Sequence, residues 1–120
     1  MNELWWKIGG VVACSAIISG AYGGHGLKKK VPDVARQEIW KIGQQYHLYH
    51  SFALFLVPFS TQQNIVGPMF LSGILLFSGS LYYISLTNRK IKLPPIGGVS
   101  FMAGWVILGM TIDKSLFLKN

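Results

Sequence analysis

Charge is what this chain has least of. Its four acids are Glu3, Asp33, Glu38 and Asp113, and charged residues fill only 12% of the 120 positions, against about 25% in ordinary soluble domains. From Ile42 to Asn88 there is no Lys, Arg, Asp or Glu. A soluble fold needs charge across its surface. A lipid-embedded one excludes it, because an acid or base placed mid-helix costs roughly 2.5–3.5 kcal/mol on insertion. Cysteine is nearly absent as well. Cys14 stands alone in an apolar run, which excludes an intramolecular disulfide and any CxxC pair for zinc or redox work. Also missing are a GxGxxG fingerprint, a P-loop and a nucleophile elbow. Gly23-Gly24-His25-Gly26 has the look of a phosphate loop, but it ends a helix, where the dipole repels anions.

What remains is hydrophobic, 51% of the chain. A spanning helix takes about 20 apolar residues, so the uncharged stretch holds two spans and a turn. The turn is Ser60-Thr61-Gln62-Gln63-Asn64, and Pro68 sits in the first turn of the helix that follows. The expected fold is all-α: a four-transmembrane-helix bundle with short loops and with the N and C termini on the same side. It forms one domain over residues 1–120, with spans at about 4–24, 41–59, 65–87 and 95–112.

In the first span Trp5, Trp6 and Lys7 read as an interfacial anchor. The apolar run before Cys14 is too short for a signal core, so the span is expected to stay uncleaved. Gly9, Ala13, Ala16, Gly20 and Gly24 recur at helical spacing, a stripe on which another backbone can approach closely. Gly73, Gly79 and Ser80 in the third span, and Gly97 and Gly104 in the fourth, are read as packing positions on the same reasoning. Pro32-Asp33 opens a helix with Asp33 as its cap, and Val34–Gln45 is expected to be an interfacial first portion of the second helix. Eight of the eleven basic residues, Lys28, Lys29, Lys30, Arg36, Lys41, Arg89, Lys90 and Lys92, fall in the first and third connections or beside them. That bias puts both connections on the cytoplasmic or matrix side. Lys28, Lys29 and Lys30 also suit anionic lipid headgroups. The net charge of +7 is explained by topology, with no nucleic-acid partner implied.

Four blocks are recognisable. They are Gly20-Ala21-Tyr22-Gly23-Gly24-His25-Gly26, Tyr46-His47-Leu48-Tyr49-His50-Ser51, Leu76-Phe77-Ser78-Gly79-Ser80-Leu81-Tyr82, and the run from Pro95 to Trp105. Together they resemble the small membrane-protein family of domain of unknown function 423, whose animal member is called transmembrane protein 256. The resemblance covers residues 8 to 112 and implies a four-helix integral membrane protein of bacterial plasma membranes or mitochondria. It carries over no catalytic or binding residue. Val31-Pro32-Asp33 and the Ser51 to Pro58 stretch resemble the eukaryotic members, which favours the mitochondrial inner membrane over the alternative, a bacterial plasma membrane. Gly24 stands where an alanine is usual.

His25, His47 and His50 are the one constellation with chemical capacity. On the four-span reading all three lie at one membrane face, and His47 and His50, at i and i+3, share a helix side. Three imidazoles suit zinc or copper, or proton and quinone chemistry beside Tyr46 or Tyr49. The plainer reading is hydrogen bonding at headgroup depth, since no carboxylate stands beside them as a supporting partner. The expected function is therefore a non-catalytic accessory or structural subunit of a larger inner-membrane assembly, with a respiratory-chain complex as one candidate. It has no cofactor and no bound metal, and its partners are membrane lipids and other membrane-protein subunits. The alternative is a small carrier or metal- or quinone-site protein built on the three histidines.

Overall fold

A computed structural model of the chain describes residues 3–118. Five helices follow one another: α1 (Leu4–Gly24), the short α2 (Gly26–Lys30), α3 (Val34–Leu56), α4 (Gln63–Thr87) and α5 (Pro94–Met110). α3 and α4 form the central pair. α1 packs along α3 on one side, and α5 packs along α4 on the other. The result is a flattened bundle of 58 × 26 × 18 Å. Described residues near both chain ends lie at the same end of the bundle. There Trp5 sits over Gly67, Trp6 Nε1 donates to Phe55 O, and Asp113 N donates to Phe59 O.

Two of these helices, α1 and α4, are long and apolar enough to cross a membrane, and α5 is a shorter apolar helix of 17 residues. α3 is long enough but too polar by composition, so four crossings do not follow from length and hydropathy alone. The reason lies in its first half. Asp33 accepts from Ala35 N at 3.0 Å and starts the helix at Val34, seven residues before the expected span. Arg36, Glu38 and Lys41 thus belong to the same continuous helix as His47 and His50. At the other end the helix stops at Leu56, where Val57–Phe59 tightens into a 3-10 turn around Pro58.

α4 carries a feature that the sequence did not announce. Ile74–Ser78 is π-helical, a one-turn widening inside an otherwise α-helical segment. Two close backbone approaches are centred on it. Gly43 of α3 lies against Ser78 O, and Gly97 of α5 lies against the Phe77 backbone. The larger core cluster is built at the other end from Trp5, Leu54, Val57, Val66, Phe70, Phe101 and Leu108. A smaller one, Leu27, Val31 and Trp40, closes the end that carries α2.

α4 ends at Thr87 with Asn88 in the left-handed conformation, φ 57°. Its last carbonyls would be orphaned at a helix end, yet those of Ile84, Ser85 and Leu86 each find a donor. Asn88 N bonds Ile84 O at 2.8 Å, and Thr87 Oγ1 bonds Tyr83 O at 2.8 Å. Arg36 reaches across from α3, with Nε on Ser85 O and Nη2 on Leu86 O, both at 2.9 Å. Ser85 Oγ returns a bond to Arg36 O at 2.7 Å. This reciprocal clasp fixes the register of the central pair at the basic end.

Candidate functional site

The three histidines do not meet. His25 is exposed at the end of α1, and among the described residues no three His, Cys, Asp or Glu side chains are placed to hold a metal ion. His47 and His50 are buried in the middle of α3 rather than at a membrane face. Because α3 starts at Val34, a rise of 1.5 Å per residue puts His47 about 20 Å along it. The two rings also serve different neighbours.

His47 faces α1 and α4. Its Nδ1 lies 2.8 Å from the Tyr82 hydroxyl and its Nε2 lies 3.0 Å from Ser15 Oγ. Ser15 directs its only proton to Val12 O at 2.7 Å. With the Ser15 proton on Val12 O, the ring is assigned as donating from Nε2 to Ser15 and accepting at Nδ1 from Tyr82. His50 faces α5. Its Nδ1 lies 2.8 Å from Tyr46 O, which can only accept, and its Nε2 receives the Trp105 indole N–H at 3.0 Å. The ring also stacks on Phe101 with centroids 3.6 Å apart. Both imidazoles have both nitrogens engaged as neutral rings. Their bonds tie α3 to α1, α4 and α5, and leave no lone pair aimed at a shared ligand.

Ser19 Oγ on α1 and Ser78 Oγ on α4 are buried without a partner among the described residues, and a second set of unpartnered polar groups stands on the outer face of α3. Gln45, Tyr46 and Tyr49 lie mid-helix, with Tyr46 40% and Tyr49 53% exposed. None of their side-chain polar atoms makes a hydrogen bond among the described residues. Tyr46 leans its ring on Phe77 and Phe101. Ile42, Phe52 and Leu56 extend the same face as exposed apolar surface.

At the basic end a cleft of about 430 Å³ opens between α1 and α3. Gly20, Gly23 and Gly24 form one wall. Gln37, Glu38, Trp40, Lys41 and Gln44 form the other, and Lys28 closes the end. Of the three lysines singled out for lipid, Lys28 lines this cleft. Lys29 and Lys30 are exposed outside it. Trp40 and Gln44 brace the walls by donating to Ser19 O (3.0 Å) and Ala16 O (3.2 Å).

The small residues divide in two groups. Added Cβ atoms at Gly9, Gly20 and Gly104 would meet Phe55, Gln44 and Phe70 at 3.2, 2.9 and 2.8 Å, and one at Gly73 would run into the Phe101 ring. One at Gly97 would lie 2.8 Å from Phe77 Cβ. Ala16 and Ser80 are buried, and Ala13 is half-buried. Gly24 and Gly79 have open space beside them, with nothing within 4 Å. A stripe at helical spacing overshoots here: in the last turn of α1 it is Gly23, not Gly24, that lies under Trp40 of α3, and Gly79, just after the widened turn of α4, is exposed. Spacing alone also missed Gly23 under Trp40, Gly43 against α4 and Gly67 under Trp5. In each the partner is an aromatic ring or a backbone carbonyl on a helix distant in sequence.

Comparison with known proteins fits this architecture. The family described as protein of unknown function (DUF423) matches residues 19–98. The UPF0382 membrane protein YwdK of Bacillus subtilis is 38% identical over 118 residues, covering 91% of this chain and 95% of that protein. A UPF0382 membrane protein of Staphylococcus epidermidis is 37% identical over 108 residues, covering 84% and 88%. One from Schizosaccharomyces pombe is 32% identical over 113 residues, covering 86% and 96%. No solved structure matches the chain. The chain, itself all-helical in its described residues, belongs to the DUF423 family of membrane proteins.

Proposed function

We propose that this protein is a non-catalytic, four-span subunit that docks through the outer face of α3 onto another membrane protein. The observation that carries the reading is the group Gln45, Tyr46 and Tyr49, with polar atoms unpartnered at mid-helix depth. In hydrocarbon a hydroxyl or amide without a partner costs about 1–3 kcal/mol on protein scales, and lipid tails offer no acceptor. A polar stripe on a neighbouring helix does. The same surface carries Ile42, Phe52 and Leu56, so a partner helix would gain apolar contact as well as hydrogen bonds. α3 crosses on this reading because α1, α4 and α5 cover its other sides, and the partner covers the last.

The bacterial plasma membrane is the setting that the Bacillus and Staphylococcus relatives support. The mitochondrial inner membrane, expected from two short stretches, finds no support among them. The basic connections 25–33 and 88–93 then face the cytoplasm. The test is extraction of the protein from its native membrane in mild detergent, native-gel separation and mass spectrometry of its band. Migration at fixed stoichiometry with a second membrane protein is expected, and Gln45→Leu with Tyr49→Leu releases it. Migration of the unaltered chain as a monomer or small homo-oligomer sinks the reading.

A further inference from the structure

The cleft at the basic end is separate from the outer face of α3 and does not depend on what docks there. Its charged groups are Lys28, Lys41 and Glu38. None of the three is ion-paired among the described residues, although they share one concavity. Surface lysines and glutamates of opposite sign usually neutralise each other when they can reach. Here the geometry holds them apart around a space of about 430 Å³, within the range that small-molecule sites occupy.

The signs are arranged, not mixed. The wall contributed by α1 is its C-terminal turn, where carbonyls face outward and the helix dipole is negative. α1 has no basic residue in its last turn to offset that. With Glu38 opposite, this half of the cleft suits a cation. Lys28 and Lys41 make the other half suit an anion. Gln37 and Gln44 have their amide nitrogens committed to Val31 O and Ala16 O, which leaves their carbonyl oxygens as further acceptors for a donor. Above Gly20 and Gln44 both walls turn apolar, with Ile17 on α1 (64% exposed) and Leu48 on α3. That continuation runs toward the membrane interior.

We infer that the cleft binds an aminophospholipid headgroup, a phosphodiester held by Lys28 and Lys41 with its primary amine turned to Glu38 and the α1 carbonyls. The acyl chains lie along the apolar surface that Ile17 and Leu48 present beyond the cleft.

The test is native mass spectrometry of the delipidated, detergent-purified protein with short-chain phosphatidylethanolamine, phosphatidylglycerol and phosphatidylcholine, one lipid at a time. One phosphatidylethanolamine per chain is expected, preferred at least fivefold over the other two. Lys28→Gln with Lys41→Gln lowers its binding at least tenfold. Lys29→Gln with Lys30→Gln, outside the cleft, leaves it unchanged. Glu38→Gln removes the preference for phosphatidylethanolamine over phosphatidylglycerol while binding of the latter persists. Circular dichroism of each variant shows the helices intact, since all these side chains are exposed or at the cleft rim. Equal binding of the three lipids, or unchanged binding by the Lys28/Lys41 double variant, overturns the inference. Displacement of lipid by free phosphoethanolamine at the same concentration overturns the lipid assignment, since acyl chains would then contribute nothing.

Discussion

Trp105 donates its indole N–H to His50 Nε2 across 3.0 Å, joining α5 to α3 between residues 55 apart in the chain. With Tyr46 O on the other nitrogen, this bond dictates the tautomer. His50 carries its proton on Nδ1, and His47, held by Ser15 and Tyr82, carries its proton on Nε2. Nitrogen-15 NMR of the labelled protein in detergent is expected to show the two histidines as opposite neutral tautomers. Trp105→Phe removes the donor and is expected to destabilise the bundle by about 0.6–1.7 kcal/mol, the range for interhelical hydrogen bonds in membranes. Added zinc is expected to leave both histidine spectra unchanged. Identical tautomers, or a zinc-induced shift of both rings, would contradict this geometry.

Arg36 is the donor for two carbonyls of the last turn of α4. Its replacement by Ala leaves Ser85 O and Leu86 O without partners and is expected to cost about 1.5–3 kcal/mol, as for hydrogen bonds to a charged group. Lys is expected to recover only part of that, because an ammonium is a point donor and cannot reproduce the planar fork. Denaturant unfolding in detergent measures the loss. Hydrogen exchange localises it, with faster exchange at Asn88, whose amide closes the same turn onto Ile84 O.

Asp113 lies in the tail beyond α5, half-buried, and caps the turn Lys114–Phe117 through Ser115 N at 3.0 Å. Its hydrogen bonds to Ser115 hold the carboxyl below its ordinary value. A depressed carboxylate stabilises its turn above the unfolded value, and that support is lost as pH falls through the folded one. The Ser115 amide resonance is therefore expected to move as the solution is taken below about pH 4, with α5 undisturbed. Asp113→Asn retains an acceptor and should abolish the pH response.

Much of this molecule was legible from residue type. The uncharged stretch from Ile42 to Asn88 marks the α3–α4 hairpin, and Asp33 marks the start of α3, because capping and hydrocarbon exclusion act locally. What was not legible is pairwise. Nothing in the spacing of His47 and His50 says that one ring turns to Tyr82 and the other to Trp105. That depends on α1 and α5 lying on opposite sides of the central pair. The histidines were expected at a membrane face because the span was begun at Lys41, with Val34–Gln45 read as an interfacial portion of the same helix; measured along the whole helix from Val34, His47 lies near its centre. The cleft was half visible in Lys28, but Glu38 and Lys41 complete it only because α3 is helical from its first residue.

The π-helical turn of α4 leads to a comparison between adjacent glycines. Gly97 packs directly on the Phe77 backbone inside that turn, whereas Gly98 has nothing within 4 Å. A methyl group at Gly97 meets main-chain atoms that cannot rotate away, so α5 must move off α4 or the widened turn must close. Overpacking of this kind costs about 1–3 kcal/mol. The same methyl at Gly98 meets open space, and there alanine's greater helix propensity acts alone, about 1 kcal/mol in favour of the helix. Gly97→Ala is thus expected to destabilise and Gly98→Ala to be neutral or stabilising, read as opposite shifts of the unfolding midpoint in detergent. The pair separates packing from propensity within one turn of one helix. Equal destabilisation by both would mean that α5 is held by its backbone flexibility and not by its fit against Ile74–Ser78.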